Sequence, residues 1–325
     1  MKIDGANILV TGGCGLIGST TIDILLRDHH PARIVILDNM VRGTLANVSH
    51  VLNDPRVTLV RGDIRDPDTV YGVTEGMDAV IHMAALRITA CAEHPREAME
   101  VMCDGAFNVV DAARMAGVKK VIAASSASIY GLADIFPTTE EHHPYNNHTL
   151  YGASKIMLEG LLRSYHAMHK LPYVALRYFN VYGPRMDLHG KYTEVLIRWM
   201  DRIKAGLPPL ILGDGHQTMD FVYIEDVARA NVLALASDVT NEVFNVASGS
   251  ETSLRELADA LLKVMGSNFR PEFGPERNVN PVSRRLAAVS KAELMLGFKA
   301  TVGLEEGLAR LDRWWQENRA VLVLS

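Results

Sequence analysis

The chain has 325 residues, 48% of them hydrophobic and 22% charged, with a formal net charge of -5. That length holds one large domain or two modest ones, and the composition excludes a disordered chain. The negative balance argues against a nucleic-acid binder that relies on a basic surface.

Three cysteines, Cys14, Cys91 and Cys103, sit in no CxxC pair. That sparse, odd count fits a reducing compartment, and a cytoplasmic protein is expected. The opening MKIDGANILVTGG has no basic region followed by an apolar run and cleavage site, so no signal peptide is read. No stretch approaches the roughly 20 apolar residues that span a bilayer. The 12 histidines are dispersed, and no metal site is expected.

In chain order, short apolar runs at Ile8–Val10, Ile34–Leu37, Val57–Val60, Ala79–Ile81 and Val121–Ala124 read as buried strands. The segments between them, near 16–28, 67–75, 95–116 and 153–169, carry helical periodicity. This alternation predicts an α/β fold: a Rossmann-like doubly wound parallel sheet. Val174–Leu176 reads as a sixth strand and Val243–Val246 as a late seventh. Further helices are expected near 192–205, 225–236, 253–265 and 304–318, with Pro- or Gly-rich joints at 183–190, 206–215 and 271–281. The expected organisation is a dinucleotide-binding domain over 1–178 with a return segment at about 219–248. Residues 179–218 and 249–325 would form a smaller substrate-binding lobe.

The first strand runs into Thr11-Gly12-Gly13-Cys14-Gly15-Leu16-Ile17-Gly18 and then a helix. Glycines there let the backbone turn and approach a pyrophosphate, which the helix N-terminus receives. The glycines fit two spacings, Gly13/Gly15/Gly18 or Gly12/Gly15/Gly18. The second strand ends in Asp38-Asn39, and Asp38 lies 20 residues beyond Gly18. A carboxylate there would bond ribose hydroxyls and repel the extra phosphate of NADP, so NAD is the expected cofactor. Asp63-Ile64, after the third strand, is placed beside the adenine, against the alternative of an ordinary loop acid. His82-Met83-Ala84-Ala85 ends the fourth strand, where small residues would let the cofactor lie against the backbone. His82 reads as a packed histidine rather than a catalyst.

Ser125-Ser126-Ala127-Ser128 closes the fifth strand, and Tyr151-Gly152-Ala153-Ser154-Lys155 follows 25 residues beyond Ser126. Tyr and Lys at i and i+4 share a helix face. A phenol titrates near 10, so it needs a neighbouring cation to act as a base at neutral pH. A serine hydroxyl can bond the same substrate oxygen. The set suits taking a proton from an alcohol while hydride leaves its carbon.

With TGGCGLIG, VILDN, RGDIRD, HMAAL, SSASIYG, YGASK, LRYFNVYGPR, ILGDG, DFVYIEDVARA and SKAELMLGF, the chain resembles the extended short-chain dehydrogenase/reductases of the NAD-dependent epimerase/dehydratase group nearly end to end. The resemblance implies NAD in the N-terminal domain and a nucleoside-diphosphate sugar against the C-terminal lobe. It implies Tyr151 as acid/base, Lys155 as its partner and ribose ligand, and Ser126 as the hydroxyl helper. Cofactor contacts would come from Gly12, Gly15, Leu16, Ile17, Gly18, Asp38 and Asn39. Others would come from Asp63, Ile64, Ala84, Ala85, Arg87 and Tyr178. Ser126, Ser128, Asn180, Arg185 and Arg277 would hold substrate, Arg277 as the late arginine on the diphosphate. A homodimer through helices 95–116 and 151–169 is also implied.

Dehydratases of this group carry an acid just after the catalytic hydroxyl, and decarboxylases tend to show Ser-Glu there. The Ser-Ala-Ser here resembles the 4-epimerases that act on UDP-hexoses, with uronates as a further substrate type. The alternatives are a net dehydrogenase that releases NADH and a non-catalytic NAD-binding protein; the intact Ser126, Tyr151 and Lys155 argue against the latter. Two positions depart from the group's pattern. Met219 stands where an arginine usually meets substrate phosphate, and Met102 where an asparagine is common. Either neighbours compensate or the substrate differs. His142-His143 reads as a loop rather than a metal pair, and Trp314-Trp315 as packing for a terminal helix.

Overall fold

The computed structural model describes residues 1–188, 194–275 and 282–319. Strands whose apolar residues run consecutively have two faces to bury, which a parallel sheet flanked by helices provides. They are β1 (Asn7–Thr11), β2 (Arg33–Asp38), β3 (Val57–Arg61), β4 (Ala79–His82), β5 (Lys120–Ser126) and β6 (Tyr173–Tyr178). The helices between them are α1 (Leu16–Asp28), α2 (Pro67–Thr74), α3 (Ile88–Glu93), α4 (Pro95–Met99), α5 (Ala106–Met115) and α6 (Leu150–His169).

The chain then leaves the sheet through β7 (Asn180–Tyr182), α7 (Val195–Lys204), β8 (Leu210–Leu212), β9 (Thr218–Met219) and β10 (Phe221–Tyr223). It returns through α8 (Ile224–Ala236), which packs on α1, and β11 (Glu242–Val246). The last elements are β12 (Thr252–Ser253), α9 (Leu254–Val264), β13 (Glu272–Gly274), α10 (Ser290–Leu296) and α11 (Leu304–Arg319).

The seven-stranded sheet has the order β11-β6-β5-β4-β1-β2-β3 and is parallel throughout. Alternate side chains feed two cores. Ile8, Val10, Ile34 and Ile81 face one cluster, which includes Val227, Ala230 and Leu235 of α8; Leu9, Val35, Val80 and Val121 face another with Val109, Val110 and Leu162. A third core joins α7, α9 and α11 around Trp199, Leu257, Leu261, Leu311 and Trp315. The strand order reverses between β1 and β4. At such a switch point the loops diverge and leave a crevice at the carboxyl ends of the strands.

One local expectation changes. The helix expected over 95–116 is interrupted: a π-helical stretch, Glu100–Gly105, separates α4 from α5. Gly105 falls where a Cβ would lie 2.7 Å from Ile64, so the stretch sits tight against the loop after β3. Both tryptophans pack against the third core, Trp315 1% exposed and Trp314 partly buried at its edge, where it also lines the crevice.

A buried polar network locks the sheet beneath the crevice. Arg177 of β6 donates from Nε and Nη2 to Glu159 of α6 at 2.9 and 2.7 Å, and from Nη1 to Tyr130 Oη at 2.9 Å and Glu140 O at 2.8 Å. Tyr130 in turn donates to Asn245 of β11, and Ser125 of β5 donates to Glu159. Removing one partner of such a pair strands the other charge in the interior. Glu159→Ala should therefore cost about 3–5 kcal/mol, read as an earlier midpoint in urea unfolding.

Candidate active site

The crevice is one continuous cleft of about 1070 Å³ that runs across the ends of β1, β2, β4, β5 and β6. At its floor Gly12 adopts φ +70°, and a Cβ there would lie 2.7 Å from Ala84 N. A Cβ on Gly18 would lie 2.4 Å from Gly12 O. The loop is thus closed tightly by backbone, and side chains are excluded from it. The first-turn N–H groups of α1, on Leu16, Ile17 and Gly18, have no helical acceptor and line the cleft beside Gly15. This cradle fits a dinucleotide pyrophosphate.

Asp38 ends β2 at the rim. Its carboxylate accepts from Cys14 N at 2.9 Å and Met40 N at 2.8 Å, and a Cβ on Gly43 would lie within 2.9 Å of both oxygens. The group is fixed in place rather than swinging on a loop. Asn39 Nδ2 donates to Asp63 at 2.9 Å, and Arg65 forks onto the same carboxylate at 3.0 and 2.8 Å. The Arg65 hydrogen bonds hold Asp63 down to about 2. Asp63 is thereby engaged with protein partners, while Asn39 and Ile64 line the cleft. His82 is buried, its Nδ1 2.8 Å from Thr11 Oγ1, and burial pushes it down to about 3. It is a neutral, packed histidine.

Ser126, at the end of β5, accepts from Ser128 N at 3.1 Å and lines the cleft together with Tyr151, whose phenolate it favours. Thr149 caps α6 by accepting from Gly152 N at 3.0 Å. A Cβ on Gly152 would lie 2.6 Å from Ser128 O and 2.1 Å from Asn147 Oδ1. Only glycine lets the start of α6 dock on the end of β5, which is what brings the serine and the tyrosine together. One turn on, Lys155 Nζ donates to Ala124 O at 2.6 Å and lies 5.7 Å from the centre of the Tyr151 ring.

Burial pushes the Tyr151 phenol above its ordinary range; Ser126, Arg42 and Arg285 oppose that by favouring the phenolate. Burial likewise brings Lys155 down to about 8.

Other expected residues have mixed fates. Ala84, Ala85 and Ser128 line the cleft. Tyr178 lines it too, but its hydroxyl is taken by Asn231 at 2.6 Å. Asn180 Nδ2 donates to Asp220 O at 3.2 Å. Arg87 pairs with Glu194 at 2.8 Å. Arg185, with φ +72°, lines the cleft; its Nη2 pairs with Asp23 of α1 at 2.7 Å, while its Nη1 is buried without a hydrogen-bond partner among the described residues. Arg277 lies outside the described residues. Met102 has a use that replaces the missing amide: its sulfur accepts Leu86 N–H at 3.1 Å. Met219 lines the cleft as an apolar wall.

Three ionisable residues enter that sequence reading missed. Arg42, Glu194 and Arg285 all line the cleft. Burial pushes Glu194 up against the fields of Arg87 and Arg42 and brings Arg285 down to about 10. The Asp134–His142–His143 cluster, whose ligand atoms lie within 4.8 Å of one another, is on a loop away from the cleft. There His142 is bonded to Asp134 and to its neighbour's carbonyl.

Residues 8–247 match the model of the NAD dependent epimerase/dehydratase family. The chain is 36% identical over 313 residues to a UDP-glucose 4-epimerase of Mycolicibacterium smegmatis, covering 95% of this chain and 98% of that one. It is 32% identical over 324 residues to a UDP-N-acetyl-alpha-D-glucosaminuronate decarboxylase of Bacillus cytotoxicus, covering 95% and 97%. The structure of a UDP-N-acetylglucosamine 4-epimerase from Methanobrevibacter ruminantium, in complex with UDP-N-acetylmuramic acid, superposes with a TM-score of 0.91 at 32% identity, covering 98% and 99%. The chain therefore belongs to the NAD-dependent epimerase/dehydratase family, and its cofactor is NAD. No helix among the described residues is long and apolar enough to cross a membrane.

Two predictions follow from this geometry. NAD should bind at least about tenfold more tightly than NADP, because Asp38 is fixed where the extra phosphate would fall; calorimetry on cofactor-stripped protein measures it. The second concerns Lys155, at about 8 here against 10.5 for an ordinary lysine. Below the lower value both folded and unfolded chains carry the proton, and the burial penalty is complete. Between the two values the unfolded chain binds more protons, so stability rises with pH. Cofactor-free Lys155→Met should therefore be more stable than wild type at pH 7, by about 1–3 kcal/mol. The gap should close as pH climbs through that window.

Proposed function

We propose that this protein is an NAD-dependent nucleotide-sugar 4-epimerase acting on a UDP-hexose or UDP-uronate. The observation that carries the reading is the Ser126–Tyr151–Lys155 arrangement at the end of β5, followed by Ala127 and Ser128 with no acid. Ala127 is 2% exposed, so a carboxylate is absent from the position where elimination of water would need one. The decarboxylase and dehydratase members of the family make the same first oxidation; what separates them is an added acid.

In this reading Tyr151 accepts the proton of the sugar 4-hydroxyl as its phenolate. Ser126 bonds the same oxygen and orients it. Lys155, held by Ala124 O, supplies positive charge beside the phenol, and Arg42 and Arg285 add to it. NAD, when bound, would supply the hydride acceptor for C4 and, in reduced form, the donor for its return. The cradle of Gly12, Gly15 and Gly18, with Leu16 and Ile17, would hold its pyrophosphate; Asp38, Asn39 and Ile64 would flank its adenosine. The 4-keto sugar turns over in the roomy cleft, Tyr151 gives the proton back, and the product is the C4 epimer with no net redox change. Asn180 and Ser128 would face the sugar.

The same reading includes a homodimer. Phe107 and Met115 on α5, with Met157 and Met168 on α6, are exposed apolar side chains at spacings that repeat on a helix face, as a self-complementary helix pair requires.

Tyr151→Phe should keep the fold and bound NAD while kcat falls by roughly 10²–10⁴. Substrate isomerisation followed by NMR, with absorbance for free NADH, checks this. Near-normal kcat in the mutant would remove Tyr151 from the chemistry, and stoichiometric NADH release by the wild type would make the protein a dehydrogenase.

A further inference from the structure

Outside the cleft, the connection between β5 and α6 carries ligating side chains that the proposed reaction does not use. Asp134, His142 and His143 bring one ligand atom each to within 4.8 Å of one another, the one such trio among the described residues. His142 is the anchor. Its side chain is 2% exposed, and its ring stands edge-on to Tyr130, which Arg177 holds from the other side. Its Nδ1 lies 2.8 Å from His143 O. A carbonyl can only accept, so Nδ1 carries the hydrogen and Nε2 presents a lone pair. A histidine that binds a metal is oriented in this way: one ring nitrogen donates to a carbonyl and the other is left for the ion.

That lone pair faces Asp134 Oδ1 at 2.8 Å. Asp134 N also points at Nε2, but at 3.4 Å, longer than a normal bond. Two electron-rich atoms so close hold together only with a cation between them, either a proton or a metal ion. A shared proton occupies two atoms and gives the third side chain no part. Yet His143 is kept beside them. Its ring lies 4.7 Å from that of His142 and stacks on Tyr145 at 5.4 Å. Its Nδ1 accepts one long bond, 3.3 Å, from Tyr145 N. Two ligands on a tetrahedral zinc-sized ion lie about 3.3 Å apart, so Asp134 needs to give way by about half an ångström. Its side chain is 62% exposed and has the room to move.

We propose that Asp134, His142 and His143 form a binding site for a divalent transition ion of the zinc type. Two imidazoles and one carboxylate suit Zn²⁺, whereas Mg²⁺ and Ca²⁺ prefer oxygen ligands throughout. Water would complete a fourth position. The ion would act on structure. Its ligands come from the two ends of a loop that Leu132 and Asn146 close: Leu132 N donates to Asn146 O at 3.1 Å, and Asn146 Nδ2 to Leu132 O at 3.0 Å. The next residue, Asn147, accepts from Thr149 N and Oγ1 at 3.2 and 3.0 Å, and Thr149 caps α6. The ion thus clamps the connection that leads into Tyr151. The adjacent histidines do not announce the site in the sequence, because Asp134 lies 8 positions before His142.

The test titrates NAD-loaded, metal-stripped full-length protein with zinc chloride in a calorimeter. One Zn²⁺ per chain is expected, with a Kd of about 10 μM or below. Magnesium chloride in excess should not compete. Asp134→Asn and His143→Ala, both at exposed residues, should each weaken Zn²⁺ by at least about tenfold while circular dichroism and NAD content stay unchanged. Zn²⁺ should raise the Tm of the wild type more than that of either variant. His29→Ala combined with His30→Ala, at a second adjacent pair, should leave binding as it was.

No binding up to about 100 μM Zn²⁺ would assign the Asp134–His142 contact to a shared proton and overturn the inference. Binding that survives Asp134→Asn and His143→Ala at full affinity would place the ion elsewhere and overturn it as well. None of these readouts depends on turnover, so the site stands or falls apart from the epimerase reading.

Discussion

The site depends on one backbone contact, the docking of the first turn of α6 on the end of β5. Gly152 lies where any side chain would overlap Ser128 O and Asn147, so the helix can approach only as glycine. Once it does, the register of α6 decides the rest. Tyr151 meets Ser126, and the next turn delivers Lys155 to Ala124 O. Thr149 fixes where that helix begins. The Ser126, Tyr151 and Lys155 set is thus placed by secondary structure on both sides, a strand end and a helix start, which is how a site gains precision that a loop would not give.

That docking carries two charged residues into the interior, Lys155 and Glu159, four positions apart on α6. Their treatment differs. Glu159 is satisfied by the Arg177 fork and by Ser125. Lys155 has a carbonyl and a phenol nearby but no hydrogen-bonded carboxylate among the described residues, and burial lowers it against the weaker opposing fields of Cys91 and Glu159. A lysine so placed is a liability for folding, while in the proposed reaction it would serve a base that must be a phenolate. On that reading stability and function pull in opposite directions at this residue, and the Arg177–Glu159 pair supports the scaffold beside it.

Much of this was legible in the sequence because the signals are local. Consecutive apolar residues mark strands with two buried faces, and the glycines after Val10 mark a turn that side chains would block. Tyr151 and Lys155 declare one helix face by their spacing. What stayed hidden depends on distant segments meeting. The π-helical stretch at Glu100–Gly105 has no sequence signature, though it decides that Met102 turns its sulfur to Leu86 N. Trp314 and Trp315 are indistinguishable as letters, and only the docking of α11 buries Trp315 fully and leaves Trp314 at the core's edge, facing the cleft. Arg185 matched a substrate pattern, but that its left-handed backbone would also bring it to Asp23 of α1 was not legible.

The cations show the same limit most clearly. Arg42 follows β2 and Arg285 lies beside β9, 243 positions later in the chain, yet both reach the field of Tyr151. Neither belongs to a motif. They matter because of what their neighbours lack: Met219 brings no charge, and the cleft's carboxylates at Asp187 and Glu194 are drawn to Arg87. In the proposed reaction the hydride chemistry is set by the strand ends, so the arrangement of charge around the cleft is the part left free to vary.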